Sequence, residues 1–374
     1  MSVKSKSVIS KASPHTIKKF ELIEEYIKSW AQKLMLNDSC NGLIFIDCMC
    51  NSGIYMNKAG EMVKGTAVRV SEALLEVART YTDKMVYIYL NDNDTRRVDE
   101  LEKHLPQDER NFMIITSRSD AHELLRTIGP QLYGTGHLHY FLLYDPYDAT
   151  IDWEALLPFF RNWGEVMINH MVSDPVRAIT SAKKKATKTK YENTYLEEFE
   201  KLVPYGSDKT AYEARVEEII NSLKGDRRYY VSAFPFYNTQ NSLIYNLIHC
   251  TSNKEGFKLY KKSAWKVFGA QSSTKHSTEN RQLSFNLFGG ITDEEDESCL
   301  HVIDIAKYLQ HSLRGRKQVP LNEVWELLDN HPIFPSEGFR NEIKSDLIAF
   351  YDAKMEQIVN SDTGKKETVI SFSS

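Results

Sequence analysis

Three apolar segments of the chain end in acidic residues, at Asp47, Asp92 and Asp145. In an open α/β sheet the carboxyl ends of parallel strands meet at one edge, and ligands bind in the crevice outside that edge. Carboxylates placed there can accept hydrogen bonds from the hydroxyl and amino groups of a ligand. The repeated pattern therefore predicts a nucleotide-like ligand, although a single acid of this kind often does no more than cap a turn.

The turn after the first segment indicates the kind of ligand. Residues 51–53 are Asn, Ser and Gly, and both glycine and asparagine tolerate positive φ. Such a turn would let the backbone approach the carboxypropyl end of S-adenosylmethionine (SAM), while Asp47 binds its amino group. Asp92 would bind the ribose, and Asp120 the adenine amine. The turn lacks the GxGxxG pattern, so it supports this ligand only together with the acids. The expected SAM site consists of Asp47, Asn51, Ser52, Gly53, Asp92 and Asp120.

The tripeptide Asp145-Pro146-Tyr147 is the candidate for the substrate side of the site. Its carboxylate and carbonyl groups could hold an amino group while the tyrosine ring stacks on a base. The competing interpretation is a simple turn at a strand end, with proline at its second position. We expect Asp145, Pro146 and Tyr147 to act in catalysis or substrate binding.

Five lysines within residues 183–190 form a candidate phosphate-contacting loop. Lysines that neutralise phosphates supply much of the affinity for nucleic acids, although a run of charge is more often only a solvated face. Residues 271–281 are a weaker candidate of the same kind. The expected substrate-contacting residues are Lys183, Lys184, Lys185, Lys188 and Lys190.

The composition is that of an ordinary soluble protein and argues against a general polyanion binder or a membrane protein. Of 374 residues, 41% are hydrophobic and 26% charged, and the formal net charge is −4. A nucleic-acid contact would therefore need a local basic patch. No apolar run approaches 18 residues, so we expect no membrane contact. Five cysteines without CxxC spacing favour a reducing cytoplasm. His137 and His139 have no third ligand nearby in the sequence, so we expect no metal.

The elements that would position these residues alternate between helices and strands. Apolar residues recur at helical spacing in 14–35 and 66–81, and short apolar strands separate the helices up to residue 169. Segments 228–235 and 242–251 could form the antiparallel pair that closes a methyltransferase sheet. The pattern predicts an α/β fold, a Rossmann-like class I methyltransferase sheet with helices on both faces, a helical insertion and a small helical C-terminal unit.

These elements also suggest a division of the chain. The expected units are a disordered tail over 1–13, a Rossmann-like methyltransferase domain over 14–270 with a helical, lysine-rich insertion over about 171–225, a flexible acidic loop over 271–299, a helical and winged-helix-like unit over 300–360, and a tail over 361–374.

Three segments together resemble the three-Cys-motif partner (TcmP) proteins. Residues 14–19 are similar to the family's HTxxK helix, 45–53 to its hhDxFAGxG turn, and 141–147 to its hhhDPF strand, in the same order. The resemblance covers about residues 14–270. It implies a class I SAM-dependent methyltransferase fold and a partner protein that is radical-SAM-like and carries a three-cysteine motif, in a mobile-element or phage-related setting.

The resemblance also implies roles for single residues. It assigns Asp47, Asn51 and Gly53 to the cofactor turn, Asp92 to the ribose, and Asp145 and Pro146 to the substrate edge. It further draws attention to His15, Thr16 and Lys18, which could close over the cofactor or simply cap a helix, with Thr16 as the capping residue.

This chain departs from the family pattern at two positions. The expected Phe-Ala-Gly of the turn is Met49-Cys50-Asn51, so an asparagine replaces the first glycine. Tyr147 stands where amino-methylating enzymes carry a second proline. Both changes bear on turnover more than on the fold.

The sequence is compatible with two main functions. The first, which we favour, is an enzyme: a SAM-dependent methyltransferase that acts on nucleic acid or a nucleotide. The second is a catalytically silent Rossmann-like partner or scaffold that binds a companion protein or DNA. A weaker third is a regulator that contacts DNA through residues 300–360, where Arg314, Arg316 and Lys317 are basic but many acids accompany them.

Overall fold

The computed structural model describes residues 8–132, 137–161, 163–202, 209–224, 229–276, 298–360 and 364–373. Its centre is a seven-stranded sheet in the order β6-β5-β2-β7-β8-β10-β9. The strands are β2 (Gly42–Asp47), β5 (Met85–Asn91), β6 (Phe112–Ser117), β7 (Leu138–Tyr144), β8 (Gly164–Met171), β9 (Tyr230–Tyr237) and β10 (Leu243–Thr251).

The strand directions define the fold. The first five strands of the chain that enter this sheet are mutually parallel, and β10 runs antiparallel to both β8 and β9. The chain builds the sheet outward from β2 in one direction and then restarts at β7 on the other side of β2. The protein therefore has the Rossmann-like class I methyltransferase fold that the sequence predicts, including the closing antiparallel pair, and β2 and β7 form its topological switch point.

Helices cover both faces of the sheet because β2 is apolar on both sides. Leu43 and Phe45 belong to one buried cluster with α1, α2 and α10, whereas Ile44 and Ile46 belong to a second with α4, α5, α7 and α9. The helices are α1 (Pro14–Met35), α2 (Thr66–Thr80), α3 (Thr95–Leu101), α4 (Ala121–Gln131), α5 (Trp153–Leu156), α6 (Ser173–Ala178), α7 (Lys185–Tyr195), α8 (Phe199–Leu202), α9 (Lys209–Lys224) and α10 (Lys254–Phe268).

A small sheet separates the turn after β2 from α2. Strands β3 (Ile54–Met56) and β4 (Met62–Lys64) form a hairpin, and β1 (Ser10–Lys11) pairs with β3. The expectation of a disordered tail through residue 13 is therefore wrong for its last residues. Residues 1–7 lie outside the described part of the chain, as does most of the predicted flexible loop over 271–299.

The C-terminal unit contains strands as well as helices. Its elements are α11 (Val302–Ser312), β11 (Val319–Pro320), α12 (Leu321–Asn330), α13 (Arg340–Tyr351), β12 (Lys354–Val359) and β13 (Lys366–Ser371), and its sheet order is β11-β13-β12. The expectation of an irregular tail after residue 361 is wrong for β13, which pairs with both neighbouring strands. A helix–strand–helix–helix–strand–strand order is the order that a winged helix has.

A buried lysine fastens this unit to the sheet domain. The Nζ of Lys261, in α10, donates to the carbonyl oxygens of Leu328 and His331, each at 2.7 Å. The Nε1 of Trp265 donates to the carbonyl oxygen of Ile333 at 3.0 Å.

In the described part of the chain no helix has the length and apolar character that crossing a bilayer requires.

Candidate functional site at the switch point

The turn between β2 and β3 has the backbone that the sequence predicts. Asn51 and Gly53 both have positive φ, at 57° and 69°. A Cβ on Gly53 would collide with the Leu101 side chain and lie 2.9 Å from Cγ2 of Val68. This glycine is therefore required for close packing of the turn against α2 and α3.

Asp92 fastens the turn from the neighbouring strand. Its Oδ2 accepts a hydrogen bond from the backbone N–H of Asn51 at 3.1 Å and lies 3.4 Å from Nη1 of Arg97. Its Oδ1 accepts from the backbone N–H of Asp94 at 2.9 Å. Asp92 is buried, so this carboxylate holds two loops together at the carboxyl edge, whatever it does for a ligand.

Asp120 begins α4 at the end of the third strand. Its Oδ1 accepts from the backbone N–H groups of His122 and Glu123, at 3.0 and 3.1 Å. This is the geometry of a helix N-cap. Its side chain is 54% exposed, which leaves room for a further contact.

A cavity of 240 Å³ lies among these strand ends. The loops after β2, β5, β6 and β7 all contribute to its walls. Among the predicted site residues, Asp92, Asp120, Pro146 and Tyr147 line it. In its floor, Oη of Tyr144 donates to the carbonyl oxygen of Thr150 at 3.1 Å. The lining residues are Cys48, Met49, Asp92, Asn93, Asp120, Ala121, His122, Tyr144, Pro146, Tyr147, Asp148 and Thr150.

The cavity fits one half of SAM better than the other. Met49 and the tyrosine rings offer apolar surface to a base, and Asp92 and Asp120 offer carboxylates for ribose and amine donors. The volume is below the roughly 300–1,000 Å³ usual for small-molecule sites. The residues present therefore suit an adenosine group, while the methionine half needs space next to the turn.

Tyr147 occupies the approach to that space. Its hydroxyl accepts a hydrogen bond from Nδ2 of Asn51 at 2.5 Å, and the guanidinium of Arg97 lies 4.9 Å from its ring centroid. The side chain thus reaches from the loop after β7 to the turn after β2, across the switch point. It is 63% exposed, so its outward movement would disrupt few interactions.

Asp145, whose side chain is 22% exposed, belongs to a separate cluster with the buried residues Lys19, Asp47 and Asn169. Its Oδ2 pairs with Nζ of Lys19 at 2.5 Å, and its Oδ1 accepts from Nδ2 of Asn169 at 2.6 Å. Burial, followed by the nearby charge of Asp145, raises the pKa of Asp47 to about 8. The buried Oδ1 of Asn169 has no hydrogen-bond partner among the described residues, and such an acceptor requires a donor.

Sequence reasoning missed Lys19 and Asn169. Our interpretation of the resemblance instead named Lys18, which pairs with Glu21 at the surface at 2.7 Å. Two signals pointed to Lys19: it is the lysine of the HTxxK pattern when the pattern is counted from His15, and it lies four residues before Ile23 on the buried face of α1. Asn169 ends a strand, as the three predicted acids do, but it carries no charge.

The residues before Lys18 have different roles from those that the resemblance suggested. Ser13, not Thr16, caps α1, because its Oγ accepts from the backbone N–H of Thr16 at 3.3 Å. The ring of His15 packs edge-on against Tyr245, with 5.9 Å between the centroids.

The lysine-rich segment borders the cavity without lining it. Lys190 pairs with Asp148 at 2.8 Å, and Lys188 lies 3.8 Å from Glu200. Lys183, Lys184 and Lys185 are exposed at the start of α7. The structure thus separates the five lysines into two that form ion pairs and three at the surface.

Among the described residues, no group of three or more His, Cys, Asp or Glu side chains could hold a metal ion. His137 and His139 both contact the ring of Trp163, with centroid distances of 5.6 and 4.9 Å.

Three solved methyltransferase structures show a remote similarity to this chain. A Staphylococcus aureus protein provisionally described as a caffeoyl-CoA O-methyltransferase is 12% identical, with a TM-score of 0.28 over 60% of this chain and 82% of its own. Loganic acid methyltransferase is 11% identical, with a TM-score of 0.27 over 70% and 87%. Human methyltransferase-like protein 13 is 8% identical, with a TM-score of 0.29 over 71% and 99%.

These likenesses are too weak to support conclusions about cofactor or substrate, and the fold assignment rests on the strand order. No protein-family model matches the chain, and no curated protein matches it either.

Proposed function

We propose that the protein is a SAM-dependent methyltransferase that acts on nucleic acid or a nucleotide. The main support is the arrangement at the switch point, where a cavity lined by the carboxylates of Asp92 and Asp120 lies beside the partly buried Asp145–Asn169 pair. In this fold, ligands bind at the carboxyl edge of the strands. SAM would supply an activated methyl group there.

The chain's own residues would position the reactants. Asp92 and Asp120 would bind the ribose and the adenine amine, and Asp47 would bind the amino group of the cofactor. Asp145 and the unpartnered Oδ1 of Asn169 would accept hydrogen bonds from an amino group of the acceptor. Lys19 would hold the Asp145 carboxylate in position through their ion pair.

The rate enhancement would come mainly from proximity and orientation in an in-line transfer. If the acceptor is a base in a duplex, it must leave the stack to reach Asp145. The TcmP resemblance adds a partner to the proposal, namely a radical-SAM-like protein with a three-cysteine motif in a mobile-element or phage-related system.

Calorimetric titration of SAM and S-adenosylhomocysteine into the purified protein tests the cofactor site. Asp92→Asn and Asp120→Ser are the informative variants, because asparagine keeps one of the two acceptor oxygens of Asp92 and serine keeps an oxygen that can cap α4. We expect both to weaken binding more than tenfold. Asp304→Asn, in the C-terminal unit, is a control that should bind as tightly as the unaltered protein. A folded protein that binds neither ligand contradicts the proposal.

One observation favours the second candidate, a catalytically silent partner or scaffold. Asn51 replaces a glycine of the cofactor turn, and its side chain joins Tyr147 across the approach to the cavity. If this arrangement is permanent, SAM cannot enter. The expected result is then no SAM binding together with a stable complex with the three-cysteine protein in size-exclusion chromatography.

A further inference from the structure

A second and larger cavity lies beside the same edge of the sheet. This groove has a volume of 620 Å³, within the roughly 300–1,000 Å³ typical of ligand sites. Its walls come from the start of α1, the β3–β4 turn, the β9–β10 turn, and the end of α10 with the segment that follows it. None of the predicted cofactor-binding or catalytic residues lines it.

Lysines from three separate segments make the groove positive. Lys18 belongs to α1, Lys58 to the β3–β4 turn, and Lys275 to the segment after α10. Among the described residues that line it, Glu21 is the one acid, and it pairs with Lys18. The chain as a whole has a net charge of −4, so this excess of positive charge is local and attracts anions.

Aromatic rings lie among these cations. Tyr237 and Phe268 line the groove, and Nζ of Lys275 lies 5.7 Å from the centroid of the Tyr237 ring. Lys58 is exposed and forms no ion pair with any described residue, so its charge is available to a ligand. Positive grooves with aromatic side chains are the means by which proteins bind single-stranded nucleic acids.

The groove is connected to the buried cluster through two rings. His15 lines the groove and packs against Tyr245, and Nζ of Lys19 lies 5.2 Å from the centroid of that same ring. Lys19 in turn pairs with Asp145. Burial and the charges of Lys19 and Lys58 lower the pKa of His15, in accord with a positive field at this end of α1.

We propose that this groove binds the phosphates and a base of single-stranded nucleic acid and thereby holds the acceptor next to Asp145. The role as an acceptor site rests on the methyl transfer proposed above. The binding itself does not, because the groove and the cofactor cavity share no lining residue.

Fluorescence anisotropy with labelled eight-nucleotide DNA and RNA strands of one sequence, without cofactor, tests this binding. We expect Lys58→Glu to weaken binding at least tenfold. It should also flatten the salt dependence, by about 0.7 in the slope of log K against log salt for each phosphate that the variant no longer neutralises. Tyr237→Leu should weaken binding about tenfold, because a base then has no aromatic ring to stack on. The DNA and RNA strands distinguish the two sources of the ligand.

Lys366→Glu is the matched control, since it makes the same charge change at an exposed lysine of β13, far from the groove in the chain. Circular dichroism establishes that each variant is folded. The proposal is overturned if neither strand binds, if Lys366→Glu weakens binding as much as Lys58→Glu, or if AMP competes as well as the unlabelled strand. If neither strand binds while SAM does, the groove proposal fails and the methyltransferase proposal stands. If a strand binds while SAM does not, the methyltransferase proposal fails and the groove remains a nucleic-acid site.

Discussion

The strand-end acids of this protein form two pairs that look alike in the sequence and differ in the structure. Asp92 accepts hydrogen bonds from backbone N–H groups of its own loop and of the turn after β2, and Asp120 accepts from the first backbone N–H groups of α4. Asp47 and Asp145 lie close together in a buried cluster whose cation is Lys19. The first pair stabilises the loops and the helix start at this edge. In the second pair, burial and the neighbouring negative charge of Asp145 destabilise the ionised form of Asp47, and such perturbed groups are typical of functional sites.

The largest expected effect concerns the pH dependence that Asp47 imposes. Its pKa is about 8 in the folded protein, against ~3.9 in an unfolded chain. Between those values the folded state holds a proton that the unfolded state releases, so this group's contribution to stability is lost as the pH rises. From pH 5 to pH 8 we expect the free energy of unfolding of the unaltered protein to fall by on the order of 4 kcal/mol more than that of Asp47→Asn.

Urea denaturation at several pH values measures this difference. Asparagine keeps an oxygen that can accept from the N–H of Met49, as Asp47 does at 3.1 Å. Asp83→Asn, an exposed change of the same chemistry, should retain the slope of the unaltered protein. Parallel slopes in the unaltered protein and in Asp47→Asn would show that Asp47 is ionised in the folded state, and the contrast between the two pairs would disappear.

The next effect comes from removing the cation of the buried cluster. Lys19→Met leaves Asp145 without its ion-pair partner. Breaking a fully buried pair costs about 3–5 kcal/mol, and because the Asp145 side chain is 22% exposed we expect a loss near the lower end of that range. Asp145→Asn added to this variant should recover much of the loss, because no unpaired charge then remains. Lys28→Met, on the same helix, removes an exposed pair with Glu76 and should cost under ~1 kcal/mol. Equal losses in the two single variants would contradict this view of Lys19.

Sequence patterns could predict the strands and the acids that follow them because both are local features of the chain. Strand periodicity and the acid after each strand occupy a few consecutive residues, and the antiparallel closing pair followed from two such strands. The Lys19–Asp145 pair joins residues 126 positions apart, so only the folded sheet and α1 together bring it into being. The hairpin of β3 and β4 was also missed, since strands of three residues carry too little periodicity to recognise.

A smaller effect separates the two ways of replacing Asp92. Asp92→Ala leaves the backbone N–H groups of Asn51 and Asp94 without their acceptor, which costs roughly 1–3 kcal/mol. Asp92→Asn keeps one oxygen acceptor and should cost less. Thermal unfolding of both variants measures the difference. If alanine is as stable as asparagine here, Asp92 does not support the turn, and its place in the first pair is wrong.

The smallest effect concerns Asp120 and completes the contrast. Asp120→Ala removes the N-cap of α4 and should cost about 1 kcal/mol, whereas Asp120→Ser should restore most of that stability because serine is also a good N-cap. Serine has no carboxylate, so it cannot replace Asp120 in binding an adenine amine. If Asp120→Ser is as stable as the unaltered protein and binds SAM as tightly, Asp120 is only a cap. If Asp120→Ser is stable but binds SAM weakly, Asp120 both caps α4 and contacts the ligand, so an acid of the stabilising pair is also a functional residue.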